Sequence, residues 1–281
     1  AELDQARVAL SSGDPAAAIS HAAAVQKNVG LDGDPETIAR SYLIHGSGRL
    51  SRAELPQAFS SANFGLKTLR TAKISTQHKP LRAQLHRLAT LALEGWGLVD
   101  AAAERIKDAV RLDPTNFDLA RIAVILNSQV GDIQGATGLL NTFASTPYAR
   151  EAILMQSCLS IRDRRQVEGI AMLKVLLPQL TAARFKRLNL IGRTCMADAY
   201  LQQGDSRSAR RVLQLARGLM LEYPDPSLVW RVHTLDGAIH ASEGRWVDAA
   251  GAWSQALSDY GHALNQSAWR GMTADIASLA M

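Results

Sequence analysis

Few residues of this chain stand at spacings that chemistry would need. His233 and His240 lie seven residues apart, on one face of any helix that holds them. A helical metal site needs ligands at i and i+4 with a third group nearby, and none follows. Cys158 and Cys195 are 37 residues apart, without the CxxC pairs or clustered histidines of a zinc site, and they read as small buried hydrophobes. The chain contains no GxxxxGK[ST], GxGxxG, nucleophile elbow or HExxH. Gly46-Ser47-Gly48 is too short to cradle a phosphate and reads as a turn, and spacing alone nominates no carboxylate pair for acid–base work. The expectation is a non-enzyme with no catalytic residue, no metal ligand and no cofactor.

Charge offers a second kind of chemistry. Residues 162–217 hold twelve basic side chains against four acidic ones, a net +8 in a chain whose total is +5, which leaves −3 for the rest. Arg184, Lys186, Arg187, Arg207, Arg210 and Arg211 form the candidate basic patch. A shorter run of Lys67, Arg70, Lys73, Lys79, Arg82 and Arg87 has no acid between its members. Such stretches serve nucleic acid, an acidic partner, or simply solvation of a helix face. Only Phe185 and Tyr200 stand among the basic residues of the 162–217 stretch, too few for a row of stacking platforms, which disfavours nucleic acid and favours an acidic protein segment. Trp230, Trp246, Trp253 and Trp269 cluster in the last quarter at helical spacing, as core packing against a final helix would place them.

Helices must position these residues. The chain has 281 residues, 47% hydrophobic but only 5% aromatic, with 9 prolines, and it lacks the alternation of strands. No apolar run approaches the roughly 20 residues of a membrane span, and no secretory signal is visible. Ala1 in place of Met makes the chain a processed protein or an excised fragment. Its two cysteines favour a reducing compartment such as the cytoplasm, and a periplasmic or lipoprotein form stays open if an N-terminal segment was removed. One phrase repeats: Gly13-Asp14 with Ala18, Gly131-Asp132 with Ala136, Gly204-Asp205 with Ala209, and Gly244-Arg245 with Ala249. Ala follows Gly by five residues each time. The periodicity predicts one domain over 1–281, with hairpins at 1–30, 37–72, 82–114, 116–146, 150–178, 186–223 and 228–261 and a terminal helix at 265–281. Gly46, Gly48 and Pro56 predict a longer turn in the second hairpin. The fifth turn, Arg162–Arg165, has no Gly, and Pro178 is expected to stop the helix after it. The Gly-to-Ala phase is lost in these two hairpins.

These residues resemble the tetratricopeptide repeat. Tyr200-Leu201-Gln202-Gln203-Gly204-Asp205, then Ala209, Leu213 and Ala216, follow the family pattern; Ile106–Pro114 matches its repeat ending; and Gly237, Gly244, Ala249, Trp253 and Ala256 fit in the last unit. Departures are Ala123-Val124 where Leu-Gly is usual, and Asp236 and His240 where Leu and Tyr are usual. The resemblance implies an all-α, right-handed helical-hairpin solenoid of about seven hairpins plus a terminal helix, with a concave surface lined by the first helices. Carried over by phase, the exposed residues of that surface include Gln84, Arg87, Asp118, Arg121, Ser128, Thr194, Asp198, Arg231 and Thr234. Arg87, Arg121, Thr194, Asp198 and Arg231 are the expected contacts to a partner. One family subset clamps the carboxylate end of a peptide, but Leu91 and Ile125 occupy clamp positions here and cannot hydrogen-bond it. The implied function is a non-enzymatic scaffold binding a peptide or protein segment. The alternatives are a sensor or regulatory domain of a bacterial signalling protein or transcription regulator, or an envelope or secretion assembly factor. Oligomeric state is left open.

Overall fold

Among the described residues, which are 1–30, 33–71, 78–182, 184–223 and 225–265 of a computed structural model, the chain forms fourteen helices and no strand. They are α1 (Glu2–Ser11), α2 (Pro15–Val29), α3 (Pro35–Ser51), α4 (Leu55–Thr71), α5 (Lys79–Gly95), α6 (Val99–Leu112) and α7 (Phe117–Gln129), then α8 (Ile133–Asn141), α9 (Ala149–Arg162), α10 (Gln166–Ala182), α11 (Lys186–Gln202), α12 (Ser206–Glu222), α13 (Pro226–Ser242) and α14 (Trp246–Asn265). The expected terminal helix with Trp269, and Lys73 of the shorter basic run, lie outside the described residues.

The repeated phrase is a turn. Seven three-residue turns join α1 to α2, α3 to α4, and so on to α13 and α14, and the middle residue of each has positive φ: Gly13, Ala53, Gly97, Gly131, Arg164, Gly204 and Gly244. In six of them the third turn residue donates its N–H to a carbonyl five residues back, as Asp14 does to Ala9 and Asp205 to Tyr200 (both 2.9 Å). That bond closes the preceding helix with a left-handed residue. Where the third residue is Asp14, Asp132 or Asp205, its carboxylate then caps the next helix by accepting from the N–H three residues on. Five residues after each left-handed position comes the first inward-facing residue of the second helix. It is Ala18, Ala58, Ala102, Ala136, Ala209 and Ala249, all fully buried, and Gly169.

The phase therefore runs through the second and fifth hairpins, where Ala53 and Arg164 take the place of Gly. The turn of the second is Arg52-Ala53-Glu54, no longer than the others. Gly46 and Gly48 sit inside α3 because side chains of other helices press on them: a Cβ would come within 2.6 Å of Leu88 at Gly46 and within 2.8 Å of Ile19 at Gly48. Pro178 does not stop α10, which continues to Ala182. It forgoes one backbone bond, but Leu176, Leu177 and Leu180 around it are buried and hold the last turn against the core.

The chain divides into two compact units, Ala1–Val130 and Gly131–Met281. In the first, each helix from α1 to α6 packs on its successor, and α3 also touches α1 and α5, so the first helices of successive hairpins form one layer. Its core runs through Ala6, Ala18, Ala22 and Ile44, then Ala39, Leu66, Leu69, Leu81 and Leu85. Each fully buried Leu contributes roughly 1.5–3 kcal/mol. In the second unit most helices pack likewise on their successors, and α11 touches α9 and α13. Leu154, Met155, Leu159, Leu173 and Leu176 are buried there.

A disulfide joins Cys158 of α9 to Cys195 of α11, with Cα atoms 6.0 Å apart. The two are buried, as the sequence reading has them, but they are paired with each other. Their separation of 37 residues is one repeat, which brings equivalent positions of successive first helices together.

Candidate functional site

The first unit holds a cavity of about 750 Å³. Its walls come from α1, α3 and α5 and from the start of α7. Leu3, Arg7 and Leu10 of α1 lie at helical spacing, as do Arg40, Leu43 and Ser47 of α3, and Gln84, Arg87 and Leu91 of α5. Asp118 and Leu119 of α7 complete it, with Asp113 and Asn116 just before. The floor is apolar, since Ile44, Leu88, Leu91 and Leu119 are buried beneath it.

The guanidinium groups around this groove are not equivalent. Arg40 is held by Glu36, four residues earlier, and Arg7 reaches Asp4 at 3.6 Å. Arg121 pairs with Asp118 at 3.2 Å and stands beside the cavity without lining it. Arg87 has no hydrogen-bond or ion-pair partner among the described residues. Burial lowers its pKa; the negative charge of Asp118 works against that and the positive charge of Arg121 adds to it. A desolvated, unpaired cation above an apolar floor attracts an anionic group of a ligand.

In the second unit the expected contacts fare differently. Thr194 is 3% exposed and donates its hydroxyl to the Ile191 carbonyl at 2.8 Å, so its assignment as an exposed groove residue is corrected. Ser128 of the first unit is buried in the same way, donating to Ile125. Small hydroxyls at inward positions bond back to their own helix. Asp198 is half-buried, accepts from Gln202 at 2.7 Å, and lies in the field of Arg231. Burial raises its carboxyl pKa, against that hydrogen bond and that charge. Arg231, expected to be exposed, is only 6% so, and its guanidinium stacks 4.8 Å from the Trp230 ring centre. Thr234 is exposed.

Half of the basic patch is neutralised. Lys186 pairs with Glu222 at 3.2 Å, Arg187 with Asp225 at 2.9 Å, and Arg210 with Glu243. Arg217 pairs with Asp236, the acid that departs from the repeat pattern, and His240, the other departure, stands 3.6 Å from the same carboxylate. The first three acids lie 33 to 38 residues after their bases, outside the window in which the charge excess was counted. Arg184, Arg207 and Arg211 are exposed. Arg184 is the left-handed residue leading into α11, and Arg207 and Arg211 flank Asp205, whose pKa is lowered first by its hydrogen bond from Ser208 and then by these two charges.

A second cavity of the first unit, about 370 Å³, lies between α3 and α4 against Tyr42, His45, Ser61 and Phe64. His45 Nδ1 is 2.9 Å from Ser61 Oγ, a contact the sequence does not betray. Ser61 donates its proton to the Gln57 carbonyl, so it accepts from the imidazole. That is the reverse of what base activation of a nucleophile requires.

No family model matches this chain, and no curated protein does. Solved structures match its fold. A tetratricopeptide repeat protein from Parabacteroides merdae is 13% identical, with the whole of this chain and 97% of that one covered at a TM-score of 0.73. The apo form of RapI is 9% identical, with 94% and 98% covered at 0.72. The Rap conjugation gene regulator of the plasmid pLS20, solved in complex with the Phr* peptide, is 11% identical, with 93% and 73% covered at 0.54. The chain therefore has the helical-hairpin fold of tetratricopeptide repeat proteins. No described helix is long and apolar enough to cross a membrane.

Proposed function

We propose that this protein is a non-enzymatic scaffold whose first unit binds a peptide or protein segment in the groove lined by α1, α3, α5 and α7. The observation that carries this reading is Arg87: a desolvated guanidinium without a hydrogen-bond or ion-pair partner among the described residues, over an apolar floor of leucines. The ligand it suits has an acidic group flanked by apolar side chains, so that the carboxylate meets Arg87 and the apolar residues meet Leu43, Leu88 and Leu91. Leu91 argues against the family's carboxylate clamp, so the anion is an acidic side chain held by one arginine. The regulatory alternative is favoured by one similar structure, which holds a peptide. An immobilised library of short peptides pairing Asp or Glu with Leu or Phe tests the proposal. Binding should appear with the intact chain, fall at least tenfold with Arg87→Glu, and persist with Arg207→Glu, which lies in the other unit. Equal binding by the Arg87 variant sinks the assignment.

A further inference from the structure

The last described helix of the second unit leaves one face uncovered. Trp246, Ala250, Trp253, Leu257 and Tyr260 follow one another at steps of four, three, four and three residues, and all five are exposed. Trp246, Leu257 and the neighbouring Val247 are 66%, 73% and 86% exposed. This is the spacing of a helix-packing seam. Beside it runs a second stripe at the same steps, Val247, Gly251, Ser254, Ser258 and Gly261. A Cβ built on Gly251 or Gly261 would meet nothing within 4 Å. One face of α14 thus carries a ridge of mostly large side chains next to a trough that, after Val247 at its start, is made of small ones.

The face carries no charge. Between 246 and 261 the acids of α14 are Asp248 and Asp259, and neither belongs to the two stripes: Asp248, itself exposed, lies 3.6 Å from His240 and 3.7 Å from Arg245, and Asp259, largely covered, lies 3.7 Å from His233. Trp253 leans on α13, its indole N–H donating to the Thr234 carbonyl at 3.2 Å and its ring filling the space over Gly237. The ridge is therefore rooted in its own protomer and preorganised. Large exposed apolar patches of this kind mark interaction sites, and Trp and Tyr are the residues that anchor them.

We propose that this face of α14 pairs with the same face of a second copy of the chain. Three properties select that occupant. A ridge beside a trough is self-complementary: under a two-fold axis along the helix, each copy's ridge falls opposite the other's trough. With no acid or base in either stripe, and the exposed Asp248 beside them paired with Arg245 of its own chain, the approach of an identical face brings no unpaired like charges together. Burying the exposed parts of these residues on both copies removes roughly 1,000 Å² in total, the lower bound for a specific interface, and the dimer proposed is a weak one, with a dissociation constant on the order of micromolar.

Sedimentation equilibrium of the full chain up to about 100 μM, well above such a dissociation constant, tests the proposal. The weight-average mass should rise with concentration from 30.4 kDa towards twice that value. Trp246→Glu and Leu257→Glu, at exposed positions, should hold the chain as a monomer with an unchanged circular dichroism spectrum. A wild-type chain that stays monomeric throughout overturns the proposal. So does a dimer untouched by both substitutions, which would use another surface. A chain that dimerises only when shortened to residues 1–265 also overturns it, because residues 266–281 would then be the natural occupant of the face.

Discussion

The disulfide between Cys158 and Cys195 makes the sharpest prediction about stability. Both cysteines are 1% exposed, and their Cα separation of 6.0 Å lies within the ordinary range for a bridge. The crosslink closes a loop of 37 residues in the unfolded chain. The chain-entropy relation for that length gives about 3.8 kcal/mol of stabilisation at 25 °C. For a unit of this size, that corresponds to a fall in melting temperature of about 8–15 °C when the bridge opens. Reduction of the wild-type protein is the cleanest perturbation, since it removes the crosslink and leaves side-chain volume almost unchanged. Cys158→Ala with Cys195→Ala adds a small packing loss and should melt at or below the reduced protein.

The assay pairs two measurements. Thiol alkylation in denaturant without reductant, read by intact mass, reports whether the bridge exists. Thermal unfolding with and without reductant reports its contribution. Blocked thiols together with a reductant-dependent melting point support the reasoning. If protein purified under air alkylates at both cysteines, the pair is two buried thiols. If the bridge is present but reduction leaves the melting point in place, the entropic argument fails and α9 and α11 hold their spacing by packing alone. A bridge of this kind persists in oxidising compartments and opens in the cytosol, so the first measurement also bears on where the chain works.

Two buried groups of the first unit should make its stability depend on pH in opposite directions. Burial pushes the Glu94 carboxyl up to about 8; a raised folded pKa means stability held below about pH 4.5 and lost as pH rises, roughly 3 kcal/mol by pH 7, so Glu94→Gln should gain on wild type in urea titrations at pH 7 and match it at pH 4. Burial pulls His86 down to about 4 against the charge of Asp108; a lowered folded pKa means stability present above about pH 6.5 and lost by roughly 3 kcal/mol as pH falls to 4, and His86→Leu should remove that loss. An unchanged acid limb in His86→Leu would refute the second. At the turns, Arg164→Gly should stabilise and Gly204→Ala destabilise, each by roughly 1 kcal/mol, because both positions are left-handed and only Gly adopts that conformation without strain; equal shifts of one sign in chemical denaturation would contradict this.

The hairpins were legible because turn, cap and crossing residue act over five residues of sequence. Gly13, Asp14 and Ala18 each have a local backbone reason, and the same reasons recur wherever the phrase does. The phase of the second and fifth hairpins escaped because Ala53 and Arg164 adopt a conformation that sequence assigns to Gly, so the marker was missing while the geometry was kept. Gly46 and Gly48 misled for the converse reason. Their small size serves a contact with Leu88 and Ile19 from other helices, and local sequence cannot tell that need from a turn.

The site was legible to the extent that it depends on helix phase, and illegible where it depends on what the next repeat supplies. Phase placed Gln84, Arg87 and Asp118 on the groove wall, because residues three and four apart share a face whatever surrounds the helix. Phase could not say whether a charge is free. Lys186, Arg187 and Arg210 look like an open basic patch only while their partners are uncounted, and those partners stand one repeat further on, at Glu222, Asp225 and Glu243. In a stacked-hairpin fold the neighbour of a side chain in space is commonly its neighbour plus one repeat in sequence, as the disulfide at 37 residues and the Gln166–Gln202 bond at 36 also show. Charges in such chains are therefore better summed over pairs of residues one repeat apart than over contiguous windows. Arg87 passes that test: the residue one repeat on is Arg121, a like charge, and the acid between them, Asp118, is bonded to Arg121. The guanidinium left over after this pairing is the one that faces the groove.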